Sequence, residues 1–127
     1  MPKVKYTKEK GLFQESGSSE QMAIFGSAGS ITAAGSNKDD ATAVGSIVAL
    51  ITTSANNNKG VRLPAGVAGA VHVLVNLSGA QSLKVYPAEG EQIEAGGSNT
   101  PKVLATNGII ICIYTGATRG WQRITSA

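Results

Sequence analysis

His72 is the only histidine and Cys112 the only cysteine among 127 residues, so the acid-base and nucleophilic chemistry open to this chain is narrow. A general base works with a partner that orients it and a proton within hydrogen-bond reach. His72 stands in "AVHVLVNL", between valines, with no serine, cysteine or carboxylate within local reach. We read it as a structural or surface histidine. Cys112 lies in "IIICIYT", the most apolar stretch, where a thiol behaves as a small hydrophobe whose pKa is raised by burial. One cysteine and one histidine also exclude an intrachain disulfide and a zinc site built from those two residue types.

Carboxylates come in two clusters, Asp39-Asp40 and Glu89, Glu91 and Glu94. Neighbours on an extended strand point to opposite faces, so Asp39 and Asp40 would not form one site, and "NKDD" reads as a solvated turn. Glu91 and Glu94 likewise fall on opposite faces of an extended segment. The spacing of oxygen ligands in a calcium loop is absent. "GSAGSITAAGS" has the glycines of a phosphate loop but lacks the Gly-Lys-Ser/Thr ending and a clear preceding strand. We read it as a connector. No catalytic, cofactor-binding or metal-binding residue is expected, and the chain is not expected to be an enzyme.

The formal charge of +3 has one source. Residues 1 to 10 hold Lys3, Lys5, Lys8 and Lys10 against Glu9, whereas residues 11 to 127 hold seven basic and seven acidic side chains. The lysines could touch phosphate and Tyr6 could stack on a base. With no basic stripe on the remainder, nucleic acid is not the expected partner. A tail that seeks an acidic protein surface is the simpler account, with Lys3, Lys5, Tyr6, Lys8, Lys10, Leu12 and Phe13 as its anchoring residues. This tail lacks the apolar run of a secretory signal, and no stretch approaches the roughly 18 apolar residues of a membrane span. The expectation is a soluble protein made in a cytoplasm, with no membrane partner.

Two textures divide the chain. Residues 14 to 45 are rich in Gly, Ser and Ala, with apolar islands at Met22 to Phe25 and Ile31 to Ala34. Such residues gain little by burial, so residues 1 to 45 are expected to be an extended arm ordered by a partner. From Ser46 to residue 127, short β-branched runs alternate with turn residues at the spacing of a sandwich or barrel. The predicted strands are Ile47 to Thr53, Val61 to Leu63, Val71 to Leu77, Leu83 to Tyr86, Gln92 to Ala95, Lys102 to Ala105, Ile109 to Thr115 and Trp121 to Thr125. Turns are expected at "NNNKG", "SGAQ", "EG" and "GGSN", and Asn107-Gly108 is the strongest hairpin signal.

Two strands carry most of the information. In "AVHVLVNL", Val71, Val73, Val75 and Leu77 share one face and His72, Leu74 and Asn76 the other, as in a half-buried strand. In "IIICIY" both faces are apolar, which predicts burial on both sides, centrally in a sandwich or at a subunit contact. Only six aromatic residues are present (Tyr6, Phe13, Phe25, Tyr86, Tyr114 and Trp121), so a monomeric core would be thin, and oligomerisation is the remaining means of support. Ile109, Ile111, Ile113 and Trp121 are the expected subunit-interface residues. The expected fold is therefore all-β: a small antiparallel β-sandwich or barrel of about eight short strands, with an extended N-terminal arm, assembled as an oligomer.

The segments "RLPAG", "KVYPAEGEQI" and "GWQRI", within Val61 to Ile124, resemble a β-rich module of tailed-phage structural proteins. The resemblance covers about half of the chain and leaves residues 1 to 45 outside it. It implies a non-enzymatic virion component on the capsid surface, a capsid decoration (cement) protein whose partners are the major capsid protein and its own copies in a homotrimer. A short head or tail fibre that attaches to the host surface is the alternative it implies.

Overall fold

The structure, a computed structural model, describes residues 3–7, 11–16 and 29–126. Every regular element among them is a β-strand. β1 (Lys3–Thr7) and β2 (Gly11–Ser16) pair antiparallel with each other, Lys5 opposite Phe13 and Tyr6 opposite Leu12. The other nine strands are β3 (Gly29–Ala33), β4 (Thr42–Ala43), β5 (Val48–Ser54), β6 (Gly60–Arg62), β7 (Val71–Asn76), β8 (Leu83–Tyr86), β9 (Lys102–Leu104), β10 (Ile109–Tyr114) and β11 (Trp121–Thr125). They form a five-stranded sheet in the order β11-β10-β7-β5-β3 and a four-stranded sheet in the order β4-β6-β8-β9. Neither closes into a barrel.

Both sheets are mixed, not antiparallel as the turn pattern predicts. From β3 to β8 the chain alternates between the two sheets, so strands two apart in sequence become neighbours and run parallel: β3 with β5, β5 with β7, β4 with β6, and β6 with β8. The turns that would close hairpins instead carry the chain across. Asn107 adopts the left-handed conformation and the Gly108 amide donates to the Ala105 carbonyl at 3.0 Å. That turn joins β9 of one sheet to β10 of the other, so the predicted hairpin is absent. Antiparallel pairing returns at the end of the chain, where β10 lies between β7 and β11.

Residues 29 to 45, expected from the sequence to belong to the arm, contribute β3 and β4 to the two sheets. β3 is the edge strand beside β5 and β4 the edge strand beside β6, and Ala33, Ala41 and Val44 are buried. Small side chains are what a narrow space between two sheets accepts, so Gly/Ser/Ala composition is compatible with packing here as well as with an open connector. Of the remainder of the expected arm, residues 3–7 and 11–16 form the β1-β2 pair, and residues 1–2, 8–10 and 17–28 lie outside the described residues.

A single buried cluster draws on both sheets: Ile51, Leu74, Ile110, Cys112 and Trp121 from one, Val61, Leu83, Val85 and Leu104 from the other. On β7 the core-facing side is the polar one of the two. Leu74 and Asn76 are fully buried, whereas Leu77 is half exposed and Val71, Val73 and Val75 are only partly buried. Asn76 can occupy the core because every polar atom of its side chain is used. Its Nδ2 donates to the Gln81 and Ala105 carbonyls at 2.7 and 3.1 Å, and its Oδ1 accepts from the Ser78 amide and hydroxyl. A buried amide left unpaired would cost far more than the bonds it makes here.

Gln92 to Ala95, predicted as a strand, is a loop. Glu94 and Ala95 both take left-handed φ values of 54°, which a strand cannot contain. The Glu94 amide donates to the Trp121 carbonyl at 2.8 Å, and Ile93 makes an isolated bridge with Trp121 and is fully buried. One apolar anchor thus explains the strand-like sequence.

Candidate functional site

The residue types that carry chemistry are engaged in holding loops to the core. Around Trp121, which is fully buried, the Tyr114 ring packs edge-on at 5.2 Å and the His72 ring at 5.8 Å. The indole N–H donates to Glu91 Oε2 at 2.9 Å, while Glu91 Oε1 accepts from the Gly66 amide at 2.6 Å. That close approach requires glycine, because a Cβ on residue 66 would stand 2.3 Å from the Tyr114 ring. Glu94 accepts from Arg123 Nε at 2.7 Å and lies 3.9 Å from Lys102 Nζ. Glu91 and Glu94 therefore serve separate contacts, one to the core tryptophan and one to the sheet edge. His72 Nδ1 lies 3.1 Å from the Ser46 carbonyl, and burial pushes the Cys112 thiol up to about 12.

"NKDD" forms a closed turn. Asp40 Oδ1 accepts from the amides of Ser36 and Asn37, both at 2.9 Å, and these bonds hold its carboxyl below the ordinary value. Lys38 pairs with Asp39 and Glu89, which raise its pKa. Lys38, Arg62, Pro64 and Glu89 border a cleft of about 320 Å³. A second, of about 370 Å³, opens beside Glu91, Gln92, Ser98 and Tyr114. Among the described residues no three His, Cys, Asp or Glu side chains are grouped to hold a metal ion, and no helix is long and apolar enough to cross a membrane.

The largest unusual feature is a surface. Because β10 faces the core through Ile110, Cys112 and Tyr114, its other side chains point away from the second sheet, and the register continues them across neighbouring strands. One row reads Leu50, Val75, Ile109; the next Val48, Val73, Ile111, Ile124; the third Val71, Ile113, Gln122. Ile109 is 41% exposed, Ile113 38% and Ile124 66%. These rows contain nine aliphatic side chains and no charge. A sheet with one solvated face ordinarily alternates apolar and polar residues; here Ile109, Ile113 and Ile124 are exposed and the other six aliphatic side chains partly buried.

Of the expected interface residues, Ile109, Ile111 and Ile113 lie side by side on this face. Trp121 does not: it is enclosed by its own chain, since its position on β11 is opposite Tyr114, which faces inward. Val48, Leu50, Val71, Val73, Val75 and Ile124 complete the face and were not recognised from sequence. The signal available was the doubly apolar "IIICIY": a strand with no polar side must be matched by apolar neighbours on both. Of the expected anchoring residues, Lys3, Lys5 and Tyr6 fall in β1 and Leu12 and Phe13 in β2; Lys8 and Lys10 lie outside the described residues.

No protein-family model matches the chain, and no curated protein shows significant similarity to it. Neither comparison links the chain to tailed-phage proteins, so the resemblance expected from "RLPAG", "KVYPAEGEQI" and "GWQRI" rests on those segments alone.

Proposed function

We propose that this chain is a non-enzymatic structural protein of a tailed-phage virion, a capsid decoration protein that binds the major capsid protein on the head surface as a homo-oligomer and stabilises the shell. The observation that carries this reading is the charge-free aliphatic face of the five-stranded sheet. A protein that displays such a face acts by contact, and symmetric repetition turns weak single contacts into strong multivalent attachment. The charge partition supports a second point of contact: four lysines within residues 1 to 10 and a neutral remainder suit a tail that docks on an acidic surface.

Deleting residues 1 to 13 tests the attachment. Capsid binding in a co-sedimentation assay is expected to be lost while the β-rich circular dichroism spectrum and the oligomeric mass are retained. Unchanged capsid binding overturns the anchoring role. Quantitative mass spectrometry of virions from the phage encoding this chain tests the location. A copy number equal to that of the major capsid protein, or a simple fraction of it, is the expected result. A handful of copies per particle indicates a fibre instead, and absence from the particle overturns the virion reading.

A further inference from the structure

We infer that the outer face of the five-stranded sheet is the surface on which a second copy of this chain packs, with the row Val48, Val73, Ile111 and Ile124 at the centre of the contact and Trp121 outside it. The inference rests on the reading of the protein as a self-associating structural component, and it specifies which surface associates and which does not.

The register is the first support. Val48 pairs with Val73, Val73 with Ile111, and Ile111 with Ile124, so the central row crosses four strands without interruption. Rows on either side add Leu50, Val75 and Ile109, then Val71 and Ile113. Leu77, two residues beyond Val75 and 50% exposed, extends the face at one end. The four strands that carry these rows, about 4.8 Å apart and about six residues long at about 3.3 Å per residue, present about 20 by 20 Å. That is about 400 Å² in projection, the size of an interface's apolar centre within a footprint of about 800 Å² per partner.

Composition selects the occupant. The face has no charged position, so a charged partner would find nothing to pair with, whereas an identical face meets it without repulsion. The charges of residues 11 to 127 are balanced, seven of each sign, so copies can approach without an opposing net charge from that region. Eight of the nine aliphatic residues are Val or Ile. Branched at Cβ, they have few rotamers to lose when they are ordered against a partner, which suits a contact between two pleated surfaces. The outer face of the other sheet has no such property: its row Gly60, Lys84, Val103 includes a lysine, and Arg62 lies beside it.

Sedimentation equilibrium of the full chain across a range of concentrations tests the inference. The unaltered protein is expected to have a mass of more than one chain. Ile113→Lys and Ile109→Lys, at positions already about two-fifths exposed, are expected to weaken association by at least about thirtyfold. Val103→Lys, on the other sheet and 60% exposed, is expected to leave it unchanged. Trp121 fluorescence and far-ultraviolet circular dichroism report whether each variant is folded. Ile124→Lys, at the β11 end of the central row and 66% exposed, provides a second version if a β10 variant fails to fold. A monomeric unaltered protein overturns the inference. So does an oligomer that persists in folded Ile113→Lys and Ile124→Lys, which assigns the contact to another surface while leaving the structural reading intact. Failure of that reading is seen separately, in the virion copy number.

Discussion

The two sheets share one core but treat their outer faces differently. On the four-stranded sheet, the outer side carries Arg62, Lys84 and Tyr86, and the turn at residues 36 to 40 is fastened to it. The Tyr86 hydroxyl donates to the Ser36 carbonyl at 3.0 Å, and Arg62 Nη1 donates to the Lys38 carbonyl at 3.0 Å. Tyr86 is consequently 5% exposed. The five-stranded sheet has aliphatic rows in the equivalent place and leaves Ile109, Ile113 and Ile124 open. One face is finished by its own chain, and the other has the composition of an interior. The difference teaches that two sheets sharing one core can differ in whether the chain itself covers the outer face, and that their outer composition follows that difference.

Substitutions can separate the shared core from the two faces. The largest loss is expected from Trp121→Ala, about 3 to 5 kcal/mol of unfolding free energy, because it opens a cavity beside Tyr114 and His72 and leaves Glu91 Oε2 without its indole donor. Urea denaturation at several protein concentrations measures it. The loss is expected to be the same at each, unlike the concentration-dependent effect of Ile113→Lys, and a change confined to association would return Trp121 to the interface. Tyr86→Phe tests the covered face. Removing one hydrogen bond to the Ser36 carbonyl is expected to cost about 1 kcal/mol, again independent of concentration. A change in oligomeric mass would contradict the assignment of that face.

The smallest effect concerns pH at the same turn. Asp40 is held below its ordinary pKa of 3.8 by the amides of Asn37 and Ser36. A carboxyl lowered in the folded state contributes stability that is fully present above its unfolded pKa and is lost as pH falls through the folded value. The difference in Tm between the unaltered protein and Asp40→Asn is therefore expected to be constant from neutral pH to about 5 and to shrink below about 4. A difference that does not change on acidification would show that the amides stabilise the turn without regard to the carboxylate charge.

Much of the strand layout was legible before any coordinates. Leu83–Tyr86 and Trp121–Thr125 match their predicted bounds, and β5, β7 and β10 differ by a residue or two at their ends, because β-branched runs bounded by turn residues report local conformation directly. β3 and β4 were missed since alanine and glycine carry no such signal, and Gln92 to Ala95 was misread because one buried isoleucine imitates a strand. Parallel pairing was invisible for a different reason. A turn of Asn and Gly specifies that the chain reverses locally, not whether it returns within its own sheet or crosses to the other.

The candidate site divides in the same way. Alternation fixed which side chains share a face: Val71, Val73 and Val75 on one side of β7, Ile109, Ile111 and Ile113 on one side of β10. A period of two is symmetric between its two faces, however, and cannot say which of them meets the core. Only the tertiary structure decided that, by supplying Asn76 with partners from Gln81 and Ala105 so that the polar side could turn inward, and by placing Trp121 opposite the inward-facing Tyr114. With that choice made, the valines and isoleucines were left on the outside together.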